Sequence, residues 1–561
     1  MKNALIVCCA LSLAAGRMSA ELLVNGDFEG GNAGFTSDYN FARLDSGVTT
    51  FDIVQSPSQS HFLAATFGDH TSGTGLMLAV NGSTHSNDVV WRQTVSVATN
   101  AAYQFSGWTT PCIPIDNNPA RIRVSINGTP IMPAFQLENP PGQWLRFSAV
   151  WNSGTNPVAV IELRDEETAQ SGNDLALDDL RFSLGGLDVF VDGQLPTVSE
   201  VVRRGSATIT VQNYFTNGTV LYTLDGSAPS LASELYAGPF TVTASSTVRA
   251  VAYSADFTQQ VQTWPLTVVI LPTLATVTAG GGTVAVAPPD GPYFSNSMAS
   301  VTATPAPGWT FLQWLGDASG SNPVASVQMT RNKHVQAVFG TTVGTAIVGS
   351  GTISQTPVAP FYPYGSQVRF SALPNAGQYL SFWGNAVSST DNPLTFVVTN
   401  ANPTVTAVFQ SLGVNQFALA LVAAGKGTVT ANPVANRFST GESVTLTAAP
   451  DAGQNFIGWS GDASGTNNPL GVTMNQSKTI TANFTKRPTL RVSTPLEGLV
   501  EDGFRLTLFG EFGTPYTILG STNLHDWQVA GAVTNTYGTV QFVDPDGTNS
   551  PQKFYRATPA E

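Results

Sequence analysis

The sequence predicts an all-β protein: a signal peptide followed by a linear array of β-sandwich, jelly-roll and small β-repeat domains. Three observations predict it. Short alternating runs of apolar and polar residues recur between clusters of Gly, Pro, Asn and Asp, which is the pattern of half-buried strands. Charged residues make up 11% of the chain, against about 25% in an average protein. Thr, Ser, Asn and Gln must therefore cover the surface, and these residues suit strands and turns better than helices. One segment also occurs three times, ending at Phe339, Phe409 and Phe484, which are 70 and 75 residues apart.

Residues 1–20 read MKNALIVCCALSLAAGRMSA. Lys2 precedes an apolar stretch from Ala4 to Ala15, and Ser19 and Ala20 form a small-residue cleavage site. This is the pattern of a secretory signal peptide. No other segment approaches the ~18 apolar residues of a membrane span, so the expected location is secreted, extracellular or at the cell surface. Cys8 and Cys9 fall in the leader and leave Cys112, so disulfides do not hold the modules. Cys112 itself reads as a small buried apolar residue. The net charge of −13, with no basic stripe, excludes nucleic acid as a partner.

Residues 21–186 form the first module, opening ELLVNGDFEGG and closing NDLALDDLRFSLGG, with alternating runs between. These two ends resemble jelly-roll carbohydrate-binding modules of the galactose-binding-like type. The resemblance implies that the ends are neighbouring strands and that their acidic groups hold a structural Ca²⁺. The matching residues are Asp27, Glu29, Asp178 and Asp179, a hard oxygen donor set of the kind calcium takes. The alternative reading leaves these carboxylates solvated or capping turns. A glycan site needs an aromatic face with polar groups beside it. The candidates are Trp91, Trp108, Trp144 and Trp151, with Tyr39, Arg92 and Gln93. Each Trp has an alternative place in the core between two sheets.

Residues 187–271 carry VLYTLDGSAPSLASELYAGPF and the alternating strand TVRAVAY. The Y-T-x-D-G-S-x-P-S core resembles the β-sandwich at the C-terminus of chitobiases, a companion module that is not itself catalytic. Asp225 reads as a turn residue, since Asp-Gly supplies a hairpin turn.

Residues 272–341, 342–411 and 412–485 are the three repeats. Each opens on a Gly-rich strand (GGGTVAVAP, GSGTISQTP, GKGTVTANP) and closes on A-x-F. Trp314, Trp383 and Trp459 each precede a Gly-Asp or Gly-Asn turn at Asp317, Asn385 and Asp462. A Trp here is either a sugar platform or the core anchor of a tiny domain, and the second reading is preferred. These segments resemble the divergent B repeats of internalin-type bacterial surface proteins, which implies a stalk or spacer. Residues 486–561 form a last β module resembling one common on large secreted bacterial proteins. Its Asp544-Pro545-Asp546-Gly547 run reads as a turn.

Five histidines (His61, His70, His85, His334, His525) stand at no ligand or triad spacing, and no nucleophile, phosphate-loop or dinucleotide motif occurs. The one acidic cluster is Asp165, Glu166 and Glu167, with Asp174, Asp178 and Asp179 beyond it, and a calcium site or a solvated loop explains it better than a catalytic pair. The expectation is thus a non-catalytic protein. The first module binds a polysaccharide or cell-surface glycan and the repeats act as spacer. Two alternatives stay open: a structural or adhesive surface protein that binds no sugar, and a jelly-roll lyase or hydrolase in residues 21–186.

Overall fold

The computed structural model describes residues 18–19, 21–114, 118–492, 498–500, 503–547 and 549–560. Apart from the short strand Met18–Ser19, the signal-peptide segment lies outside the described residues. The protein is all-β. Its only helical elements among the described residues are two 3₁₀ turns, Leu44–Ser46 and Pro57–Gln59, and no helix is long and apolar enough to cross a membrane. It divides into two units, 1–271 and 272–561.

Unit 1 opens with two sheets packed face to face. One runs in the order Leu145–Asn152, Ala102–Pro111, Leu175–Leu184, Met77–Asn81, Thr50–Val54, Asn40–Phe41. The other is built on Val89–Ser96, Val158–Asp165 and Arg121–Ile126, with Thr129–Pro130 and Phe135–Gln136 both paired to the last of these. Phe28, Trp91, Phe105, Phe147, Leu163, Leu177 and Phe182 fill the space between. The two ends of the module meet, as the resemblance implied. Leu22 N donates to Phe182 O (2.8 Å) and Leu180 N to Gly26 O (2.8 Å). A Cβ on Gly26 would stand 2.0 Å from Leu180 O, so only glycine permits this approach. Cys112 is buried beside Leu44, Met77 and Ala176, and burial pushes its thiol well up.

A second sandwich follows, with its own core of Val191, Ile209, Val248, Ala250 and Val268. Asp225 is a turn residue: its Oδ1 accepts from Ser227 N and Oγ, and Gly226 takes φ +81°. The two sandwiches are joined by an ion pair, Arg146 Nη2 to Asp188 Oδ1 at 2.7 Å, and by Leu187 N donating to Gln104 Oε1.

In unit 2 each repeat is a pair of small sheets. One sheet of each contains a parallel pair: Leu274–Thr278 with Lys333–Thr341, Gly344–Val348 with Thr404–Ser411, and Gln416–Ala424 with Lys478–Phe484. The repeated Trp is the core anchor in all three. Its indole Nε1 donates to the carbonyl eight residues on, at Asn322, Asp391 and Asn467 (2.7–2.8 Å). Its backbone N closes the intervening loop on Gly320, Ser389 and Gly465. The Gly-rich openings have an equally physical cause. A Cβ on Gly282, Gly351 or Gly427 would lie 2.5–2.6 Å from the ring of Phe339, Phe409 or Phe484.

The modules follow one another along the chain, yet the last one returns to the first repeat. Arg505 Nη2 reaches Asp317 Oδ1 (3.3 Å), which Arg331 also holds (2.6 Å). Gly316 N donates to Gln541 Oε1 (2.7 Å). Asp544 is a turn and pairing residue, accepting from Tyr555 Oη and Asp546 N and pairing with Lys553.

The glycine–phenylalanine contact makes a prediction. Gly427→Ala overpacks the third repeat against Phe484 and lowers stability by about 1–3 kcal/mol, read by denaturant unfolding of the full chain. An unchanged midpoint would remove the contact as the reason for glycine.

Candidate functional site

The sequence-predicted site residues of the first module do not share one surface. Trp91 is 0% and Trp108 2% exposed. Trp91 lies in the core between the sheets, parallel to Phe105, so neither of its faces is open to a sugar. Tyr39 is buried and accepts from Ser83 N at 3.1 Å. Gln93 is buried and works as a clamp: its Nε2 donates to Val24 O and Gly34 O, and its Oε1 accepts from Val24 N. Trp151 packs on Tyr103 and Phe182. Arg92 stands on the outer face of the five-stranded sheet, in a chain of ion pairs with Glu162, Asp38 and Arg164. Trp91 and Gln93 are therefore structural, because alternation along Val89–Ser96 turns both inward. Tyr39 is a core residue just ahead of the strand Asn40–Phe41. Trp108 falls on the opposite face of its strand from Phe105 and is covered there by His70.

Trp108 and Trp144 nonetheless belong to an aromatic cluster beside a cleft that the sequence did not show. The His70 ring stacks on Trp108 (centroids 3.9 Å) and meets Trp144 edge-on (6.0 Å) and Trp264 edge-on (5.6 Å). Trp264 belongs to the second sandwich. The Arg181 guanidinium lies 3.7 Å from its ring centre, a cation–π contact. This pair borders a cleft of about 940 Å³ between the two sandwiches. Asn25, Asp27, Glu29 and Asp179 line it from the first module, and Gln260 and Gln262 from the second. Only Trp264's position outside any alternating run, between Thr263 and Pro265, set it apart in the sequence.

A β-bulge places the acidic side of this cleft. Pairing between Leu175–Leu184 and Ala102–Pro111 slips between Asp178 and Arg181, and Asp179 takes φ +52°. Asp179 Oδ2 lies 2.7 Å from His70 Nδ1 and accepts from Thr71 Oγ1 (2.7 Å). Asp178, fully buried, accepts from His70 N (2.8 Å). Burial first, and the charge of Asp179 second, push its carboxyl up to about 8. Glu29 Oε1 accepts from Leu76 N (2.7 Å), and Asp69 caps the same loop through Ser72 N and Gly75 N. The oxygens of Glu29 and Asp69 both crowd Gly75.

The four predicted calcium ligands thus divide. Asp178 and Asp179 gather at His70, Glu29 sits with Asp69, and Asp27 is exposed at the rim. Among the described residues no three His, Cys, Asp or Glu side chains stand at metal-holding spacing. The charge crowding at Asp178 suits a cation, whereas the oxygens themselves are engaged by backbone N–H groups. Asp69 escaped the sequence reading because its Asx-type turn resembles many others.

A second polar cluster lies in the same module. Asp165 is buried, with Oδ1 accepting from Arg121 N and Glu167 N and Oδ2 without a partner among the described residues. Burial pushes it up to about 7 and the nearby Asp174 to about 6. The solvated-loop reading of this cluster fails for these two residues.

Comparisons with known proteins bear on the modules singly. Residues 273–343, 341–412 and 417–488 match the divergent InlB B-repeat domain, and residues 191–263 match the chitobiase/β-hexosaminidase C-terminal domain. No curated protein sequence matches the chain. Among solved structures, similarity is found to the C-terminal domain of the sugar-binding protein EclA (17% identity, 16% of this chain and 64% of that one, TM-score 0.15). The CBM22-1 xylan-binding domain of Paenibacillus barcinonensis Xyn10C is similar at 13% identity, over 28% of this chain and 83% of that one (TM-score 0.18). A CBM4 structure is similar at 16% identity, over 29% and 99% (TM-score 0.18). Similarity at this level leaves the fold to be argued from the strands themselves.

The buried acids set a pH dependence. A carboxyl raised above its ordinary value of 3.8 holds its proton more tightly in the folded chain, so its ionisation costs stability as pH rises from about 4 to about 7. Below that window the cost is absent. The melting transition of unit 1 is expected to rise as pH falls from 8 to 5, with a smaller rise in Asp165→Asn. An Asp165→Asn profile parallel to the parent would show that Asp165 does not titrate in this window.

Proposed function

We propose that this is a secreted or cell-surface, non-catalytic protein. It binds a polysaccharide or cell-surface glycan in the cleft between its first two sandwiches. The observation that carries the reading is Trp264 held under Arg181 in a cleft bordered by amides and carboxylates. A half-buried aromatic ring with convergent polar groups is the usual make-up of a sugar site. The chitobiase-type module at 191–263 supports it, because that class accompanies carbohydrate-active proteins.

The test is retention of the 21–271 fragment on a panel of soluble and insoluble polysaccharides. The expected result is retention on one class, lost in Trp264→Ala and kept in Trp151→Phe. Retention indifferent to Trp264 would move the site elsewhere in unit 1. No retention by a folded fragment would favour the structural or adhesive reading. Turnover of a glycan would overturn the non-catalytic part.

We further propose that calcium binds at the joined ends of the first module through Glu29 and Asp178, and offsets the charge crowded at Asp178. The expected outcome is a melting temperature higher in calcium than in chelator by several degrees. Glu29→Gln and Asp178→Asn should each remove the difference. Equal melting in calcium and chelator would exclude the ion.

A further inference from the structure

We infer that unit 2 holds a second ligand site, a cleft for a neutral oligosaccharide formed where the last module returns to the first repeat. The site stands apart from the cleft in unit 1 and rests on different residues.

Strand alternation creates its two walls. In the first repeat Trp314, Ala337 and Phe339 point into the core. Gln313, Leu315, Gln336 and Val338 fall on the opposite face of the same sheet. In the last module Leu506, Leu508 and Phe542 point inward, which leaves Thr507, Phe509 and Gln541 on the outer face. The two outer faces meet. The ion pairs of Asp317 with Arg331 and Arg505, and the bond from Gly316 N to Gln541, pin one side. Gln313 Nε2 donates to Thr539 O (3.3 Å), and Tyr362 faces Phe512 with ring centres 6.2 Å apart. Between these contacts an opening of about 530 Å³ remains, within the range of small-ligand sites.

The lining of this opening names the ligand class. It holds Gln313, Gln336, Gln367 and Gln541, the rings of Tyr364 and Tyr537, and no charged side chain among the described residues. The amides of Gln336 and Gln367 make no hydrogen bond to any described residue, and the buried Ser366 Oγ is likewise unpartnered. A primary amide offers donors and an acceptor side by side, which matches the hydroxyls of a sugar ring. Aromatic rings take the apolar face of such a ring. A uronate, sulfate or phosphate would find no counter-charge here, so the ligand is neutral.

Comparison of the repeats supports the assignment. Strand register places Phe382 and Gly458 where the first repeat has Gln313, and Thr406 and Thr481 where it has Gln336. The amide pair occurs only in the repeat whose outer sheet face is bonded to Thr539 and Gln541 of the last module.

Isothermal titration of the full-length chain tests the inference. The ligands are cellohexaose, xylohexaose and mannohexaose, with an oligogalacturonide as charged control. Trp264→Ala serves as the background that silences the unit 1 site. At least one neutral hexasaccharide is expected to bind this background. Binding should weaken tenfold or more when Gln336→Ala and Gln367→Ala are added, with the melting temperature unchanged. The charged control should not bind. Absence of neutral binding in the Trp264→Ala background, binding indifferent to the two glutamines, or equal binding of the oligogalacturonide would each overturn the inference. Loss of all binding in Trp264→Ala alone would do so while leaving the unit 1 reading intact.

Discussion

Each small repeat depends on one buried indole whose N–H has a fixed partner. A module of about 70 residues buries too little surface to tolerate a loose core. One large aromatic must fill it, and an unpaired indole N–H there costs free energy. The three repeats solve both problems with the same loop, which carries the accepting carbonyl back to Trp314, Trp383 and Trp459. The glycines laid against Phe339, Phe409 and Phe484 follow from the same shortage of space. The first module is larger and works differently. Its indoles at Trp91 and Trp108 have no N–H partner among the described residues. Trp91 is set among many apolar side chains of the core, and Trp108 is stacked under His70 on the outer face.

Because the indoles of the repeats are committed to their cores, they cannot serve as sugar platforms. Aromatic side chains free for a ligand must come from between modules. Trp264 lies beyond the last alternating residue of its strand and faces the neighbouring module. Tyr364 and Tyr537 come from the second repeat and the last module and border one opening. Charged residues show the same division. In a chain with so few of them, Arg146–Asp188 and Asp317–Arg505 are used where modules meet. Both pairs are largely withdrawn from solvent, where breaking one partner costs far more than at an exposed surface.

Whatever is local in this protein was legible in its sequence. The three repeats, the anchoring role of their tryptophans and the turn at Asp225 follow from alternation, turn chemistry and spacing, whereas the meeting of the first module's two ends was implied only by the resemblance those ends carry. What the sequence hid is non-local. Alternation identifies two faces of a strand without saying which one is buried, so Trp91 and Gln93 read as well for a binding face as for a core. The bulge at Asp179 breaks alternation with no glycine to mark it. Asp69 and Glu29 are 40 residues apart and meet only because both cap around Gly75. The return of the last module to the first repeat rests on Asp317, which reads in sequence as one more turn residue.

Asp317 also shows how a repeat acquires a new role without losing its old one. Its Oδ2 accepts from His334 N, and Asp462 makes the equivalent bond to Thr479 N in the third repeat. That bond closes the turn after the tryptophan. The other oxygen is left over, and in the first repeat alone it is joined by Arg331 and Arg505. In the second repeat strand register sets Asn385, at φ +71°, where the others have Gly316 and Gly461, and Ala386 stands in Asp317's place with no side-chain oxygen to offer. The aspartate turn of the first and third repeats thus leaves one oxygen available. A single arginine on a distant strand converts that oxygen into the contact that closes unit 2 on itself and creates its cleft.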